Sequence, residues 1–198
     1  MEGTNPVNKK LTAALSGGAV LVLALSGCSS SSDDNSDALN SWAKQVCDAV
    51  QPQAKKIEAA NTAIQKETSD NSTPEEVQKT DAQAFQDMSD AYKAIGTAVE
   101  KAGAPDVEDG KTKKTNAVKE LNDISAKYAD LKTQVEKLDT KDQSKFADGL
   151  KGIATQLDKL SQSGNDALKK LEEGEVGAAM AKQESCKSAS AKPSATNG

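Results

Sequence analysis

After residue 36 the larger apolar side chains return every three or four positions through four successive runs, and that rhythm demands helices burying a shared seam. In residues 37–68 the face is Leu39, Trp42, Val46, Val50, Ile57 and Ile64, with Ala43, Ala54 and Ala60 between them. Pro52 falls inside this run, where it removes a backbone donor, so the sequence predicts a first helix bent or split near residues 48–52. Ser69-Asp70-Asn71-Ser72 supplies a polar turn. Thr73-Pro74-Glu75-Glu76 then reads as a helix start with a capping box. The second seam is Val77, Ala84, Phe85, Met88, Tyr92, Ile95 and Val99, ending at Gly103 before Ala104-Pro105.

The third helix is expected from Asp106 to Leu138, with Val107, Val118, Leu121, Ile124, Tyr128, Leu131, Val135 and Leu138 in phase and Gly110 weakening its start. Thr140-Lys141-Asp142-Gln143 repeats the capping-box pattern. It opens a fourth run through Phe146, Leu150, Ile153, Leu157, Leu160, Leu168 and Leu171, stopped by Gly174. Residues 175–185 carry Val176, Ala179, Met180 and Gln183 at helical spacing, a short fifth helix that doubles back. Sustained heptads also suit an intermolecular coiled coil, but three short turns within one chain favour an intramolecular fold. The expected class is all-α: an up-down-up-down antiparallel four-helix bundle with a short C-terminal fifth helix.

Ahead of this domain stands a different kind of signal. Lys9 and Lys10 form a positive n-region, residues 11–25 an apolar stretch short for a membrane span, and Leu25-Ser26-Gly27-Cys28 a lipobox. Residues 1–27 are therefore expected to be a cleaved signal peptide of the general secretory route, since no twin arginine is present. The lipobox resembles the cleavage and lipidation site of bacterial lipoproteins, and that resemblance implies acyl lipid on Cys28; two or more chains anchor stably where one does not. Residues 28–36 then form a lipidated, Ser-rich spacer, residues 37–186 the helical domain, and residues 187–198 a disordered tail.

Composition narrows the chemistry. All 25 basic residues are lysine and histidine is absent, so the chain lacks the guanidinium fork for carboxylate or phosphate, the usual neutral-pH base and the usual transition-metal ligand. The net charge of −5 becomes −6 once Glu2, Lys9 and Lys10 leave with the signal, and the lysines are dispersed, which argues against nucleic acid. No Gly-x-Ser-x-Gly elbow occurs, and Glu75-Glu76, Glu172-Glu173 and Asp33-Asp34 read as solvated or helix-start charges. Neither catalytic nor cofactor-binding nor metal residues are expected, and the chain is read as a non-enzyme. Trp42 reads as core in phase with Leu39 and Val46, with a partner-binding anchor as the competing role. Gly96, Gly149 and Gly152 suggest close helix approach, or a groove for an apolar ligand.

With Cys28 used for lipid, Cys47 and Cys186 are an even pair in an oxidising location, for which a disulfide is the default and two buried thiols the alternative. The topology brings both to one end at similar depth. Closing a loop of about 140 residues is worth on the order of 5 kcal/mol as an upper figure.

Lipobox, serine-rich spacer, Trp42-Ala43-Lys44-Gln45-Val46-Cys47, helical middle and late Cys186 together resemble the small secreted, cell-surface lipoproteins of actinobacteria. That group is functionally uncharacterised, and the resemblance implies no active site. The expected function is that of a lipoprotein held at the extracytoplasmic face of the cell membrane through Cys28. Its bundle is expected to act as an interaction module for an envelope protein or the cell wall. The alternative is a carrier or sensor of an apolar small molecule held between helices.

Overall fold

The computed structural model describes residues 33–67, 72–163 and 166–190. The signal segment, Cys28, Ser29–Ser32, most of the first turn and residues 191–198 lie outside the described residues. All regular structure among the described residues is helical: α1 (Asp33–Glu67), α2 (Pro74–Ala102), α3 (Gly110–Val135), α4 (Gln143–Ser163), α5 (Asp166–Leu171), α6 (Glu175–Ala181) and α7 (Glu184–Ser190). The chain is all-α, as its periodicity requires. Among the described residues no helix is long and apolar enough to cross a membrane.

Helices α1, α2 and α3 form the body, with α2 packed along both neighbours. Their antiparallel course is fixed by contacts between opposite ends. Trp42 Nε1, early in α1, donates to the Gly103 carbonyl at the close of α2 (2.9 Å), and the Gln78 amide, early in α2, donates to the Val135 and Leu138 carbonyls at the close of α3 (both 2.9 Å). Midway, Ser89 Oγ donates to the Ser125 carbonyl (2.9 Å) and Ser125 Oγ to the Ser89 carbonyl (2.8 Å), both buried. Close approach explains Gly96: a Cβ there would meet Leu121 Cβ at 3.3 Å. Helix α4 lies less extensively against α3, joined by a reciprocal Gln134–Gln156 amide pair (3.1 and 2.7 Å), while α6 and α7 pack on α1.

The apolar interior falls into two clusters along the bundle. One holds Leu39, Trp42, Ala43, Val46, Ile95, Val99, Ala117, Leu121, Leu171, Val176 and Ala179. The other holds Ala60, Ala84, Phe85, Met88, Ile124, Leu131, Val135, Ile153 and Leu160 among its members. Tyr92 packs at the edge of both clusters and stacks on Tyr128 at 5.6 Å between ring centroids.

Several boundaries differ from the sequence expectation. Helix α1 begins at Asp33 and thus takes in the last four residues assigned to the spacer. It is not split at Pro52. The proline costs roughly 3 kcal/mol in a helix interior, and packing of α1 against α2, α6 and α7 offsets it. Helix α3 starts at Gly110, not Asp106, because residues 105–109 turn instead: Val107 N donates to Pro105 O (2.9 Å), and Asp109 takes a left-handed conformation with φ 58°. It ends at Val135 in a tightened turn, Lys137 N to Gln134 O and Leu138 N to Val135 O (both 3.1 Å).

The fourth run begins at Gln143, capped by Asp142 instead of Thr140: Asp142 Oδ1 accepts from Lys145 N at 3.1 Å. The run is described as α4 and α5, with residues 164–165 between them outside the described residues, and its last helical residue is Leu171. The expected fifth helix is two, because Lys182 and Gln183 close α6 with bonds to Ala179 and Met180 carbonyls (3.3 and 2.9 Å) before α7 starts. Lys187–Ser190, assigned to the tail, belong to α7.

Candidate functional site

The two ends of the bundle carry different chemistry. At one, Cys47 and Cys186 form a disulfide with Cα atoms 4.9 Å apart, across 139 positions of chain. Cys47 is fully buried on α1 beside Ala43 and Val46, whereas Cys186 on α7 is half-buried. Ser185 Oγ donates to Asp48 Oδ1 (2.6 Å), and Lys44 Nζ to Asp48 Oδ2 (2.6 Å). These two bonds, the lysine's first, hold the exposed Asp48 carboxyl below its usual range. Trp42 is a core residue at 6 % exposure, its indole N–H satisfied by Gly103. Beside the disulfide lies an open groove of about 450 Å³ lined by Glu172, Gly177, Met180, Ala181, Cys186 and Lys187. Burial raises the Glu172 carboxyl above its usual range.

At the other end the helix termini are held by caps. Thr73 Oγ1 accepts from Glu76 N (3.3 Å) while Glu76 Oε2 accepts from Thr73 N (2.9 Å), a complete capping box that lowers the Glu76 carboxyl. The Gln78 amide bridges the Val135 and Leu138 carbonyls at and just past the end of α3, the first of which also accepts from Leu138 N. Behind it sits Asp81, 7 % exposed, with Oδ1 lacking a hydrogen-bond partner. Burial, and secondarily the charge of Glu67, pushes its carboxyl up to about 6. Tyr128 is likewise pushed up, to about 12, by burial and then by Tyr92.

Two open grooves follow the helix pairs. One of about 270 Å³ between α3 and α4 has Leu131 and Leu160 on its floor and Lys127, Asp130, Gln134, Gln156 and Lys159 along its rim. The other, about 520 Å³ between α1 and α2, is walled by Ala59, Ala60, Ala63 and Ala84, with Glu67 and Glu76 toward one end. Gly149 contributes to the α3–α4 seam, where a Cβ would come within 2.4 Å of Leu138 Cδ2; nothing within 4 Å would meet one at Gly152.

Cys47 and Cys186 thus come together as expected, while Cys28 lies outside the described residues. Among the described residues no group of three or more His, Cys, Asp or Glu could hold a metal. Asp81, Gln78 and the Ser89–Ser125 pair escape a reading based on apolar positions alone. Asp81 could have been found from phase, since it stands four residues from both Val77 and Phe85 on the buried face. No protein-family model matches the chain, and no curated protein or solved structure matches it.

Proposed function

We propose that the mature chain is a lipoprotein anchored through acyl lipid on Cys28 at the extracytoplasmic face of the cell membrane. Its helices, in an up-down-up-down bundle, serve as a non-enzymatic interaction module for an envelope protein or the cell wall. The observation that carries this reading is a lipobox placed just ahead of a helical domain closed by a disulfide, a bond that persists in exported proteins and is rare in reducing compartments. Under this reading the anchor leads in sequence into α1, the helix that bears Cys47, and the far turns are those after α1 and after α3.

Crosslinking on intact cells, followed by mass spectrometry of the captured species, tests the reading. A reproducible partner whose crosslinks map to α2, α3 or the far turns is expected. Loss of membrane retention in Cys28→Ala should accompany it. Retention unchanged in that variant overturns the anchor, and repeated recovery of no partner overturns the interaction role.

A second reading draws on the apolar floor of the α3–α4 groove, Leu131 and Leu160, which suits the chain of a small apolar ligand. Lipid recovered with the purified domain, and lost in Leu131→Asn, would favour that carrier role over the interaction module.

A further inference from the structure

We infer that the Cys47–Cys186 bond is a one-sided clasp: a small thiolate can enter it only at Cys186, and opening it there frees α6 and α7 from α1 while α1 to α4 stay folded. Thiol–disulfide exchange requires the attacking sulfur to approach along the S–S axis, from the side opposite the leaving sulfur, and its rate depends on access to the sulfur attacked. The two sulfurs differ sharply in access. Cys47 is at 0 % exposure, enclosed by α1's own packing face and with the Met180 carbonyl 4.0 Å from its Sγ. Cys186 is half-buried and lines the open groove of about 450 Å³ with Gly177, Met180, Ala181 and Lys187. That volume admits a tripeptide-sized thiol.

Charge does not set the direction. Lys187 lines the groove, but Glu184 pairs with it at 2.5 Å and Glu172 shares the wall. Steric access decides. In the step itself the thiolate sulfur forms a bond to Cys186 Sγ, the Cys47–Cys186 bond breaks, and its electron pair passes to Cys47 Sγ, which takes a proton from water. The product is a mixed disulfide on Cys186 and a thiol on Cys47, with no further oxidant or reductant.

The consequence for the fold follows from what holds the C-terminal helices. Helices α6 and α7 pack only on α1 and on each other among the more extensive helix pairs, and the buried apolar side chains of α6 are Val176 and Ala179. Each has seven residues, below the length at which a helix persists alone. Once the covalent tie is exchanged, the Ser185–Asp48 bond is exposed and holds little. The second apolar cluster includes no residue of α6 or α7 and is untouched, whereas Val176 and Ala179 share the first cluster with Ile95 and Val99 of α2 and Ala117 and Leu121 of α3.

The test uses the full chain under native conditions with excess glutathione, acid quench, alkylation of free thiols and site-resolved peptide mass spectrometry. Adduct at Cys186 should exceed adduct at Cys47 by about tenfold or more. Hydrogen exchange of the adduct should rise in α6 and α7 and stay unchanged in the parts of α2 and α3 that build the second cluster. Equal adduct at both cysteines, which is the signature of exchange through global unfolding, overturns the proposal, as does adduct mainly on Cys47 or a disulfide that stays intact.

Discussion

The crosslinked end and the far end of this bundle are stabilised by different means. At the crosslinked end a covalent bond joins α1 to α7, and short helices complete a cluster that includes Ala43, Ala117 and Ala179 beside Trp42. At the far end no crosslink exists among the described residues. Full-length helices and polar caps hold it instead, around a cluster that includes Phe85, Met88 and Leu131. Both clusters mix large side chains with three alanines, so the ends differ in how the helices are secured, by a covalent tie at one and by capped helix starts at the other.

The most severe way to break that contrast is to hollow the far end. Phe85 is 1 % exposed, and Phe85→Ala should lower the unfolding free energy by about 3–5 kcal/mol, read as a shift in the urea midpoint without reduction of the disulfide. A loss below about 1 kcal/mol would mean that the far cluster is not the principal core.

A middle-sized effect comes from Asp81. Its carboxyl lies near 3.8 in the unfolded chain and at about 6 in the fold, so between those values the folded state binds the extra proton. Stability should therefore fall as pH rises from about 4 to 6, then level off. Asp81→Asn should flatten this slope and raise stability at pH 7 by on the order of 2 kcal/mol, measured by urea titration across that range. A midpoint rising with pH in the native chain would reverse the sign and refute the assignment.

The smallest is the loss of one cap. Thr73→Ala should cost about 1 kcal/mol and increase hydrogen exchange in the first turn of α2 alone, leaving the crosslinked end unaffected.

The seam residues of α1 to α3 were legible because each interval of three or four returns a side chain to the same face, and Leu121, Ile124, Leu131 and Val135 are indeed buried. The Thr73 box and the Gly103 stop were equally plain, since their local chemistry has one geometric outcome. The division of the C-terminal segment was not. Val176, Ala179 and Gln183 keep helical spacing, so periodicity reads one helix where Lys182 and Gln183 close α6 before α7. Of the site, the Cys47–Cys186 pairing was legible from even count and topology, but the unequal burial of its two sulfurs depends on packing that no spacing encodes. Asp81 was missed because a charged residue is discounted as core until its neighbours are known.

The reciprocal serine bonds at mid-height limit how the bundle can move. Sliding α3 past α2 by one turn would shift the facing backbones by about 5.4 Å and pull both hydroxyls from their carbonyls at once. The two buried hydroxyls would then lose their partners, at about 1–3 kcal/mol each, while the carbonyls keep their bonds within the helices. Shear along this interface is thus disfavoured over bending or detachment of the peripheral helices. Whatever touches one tip of the molecule reaches the other along a strut of fixed length.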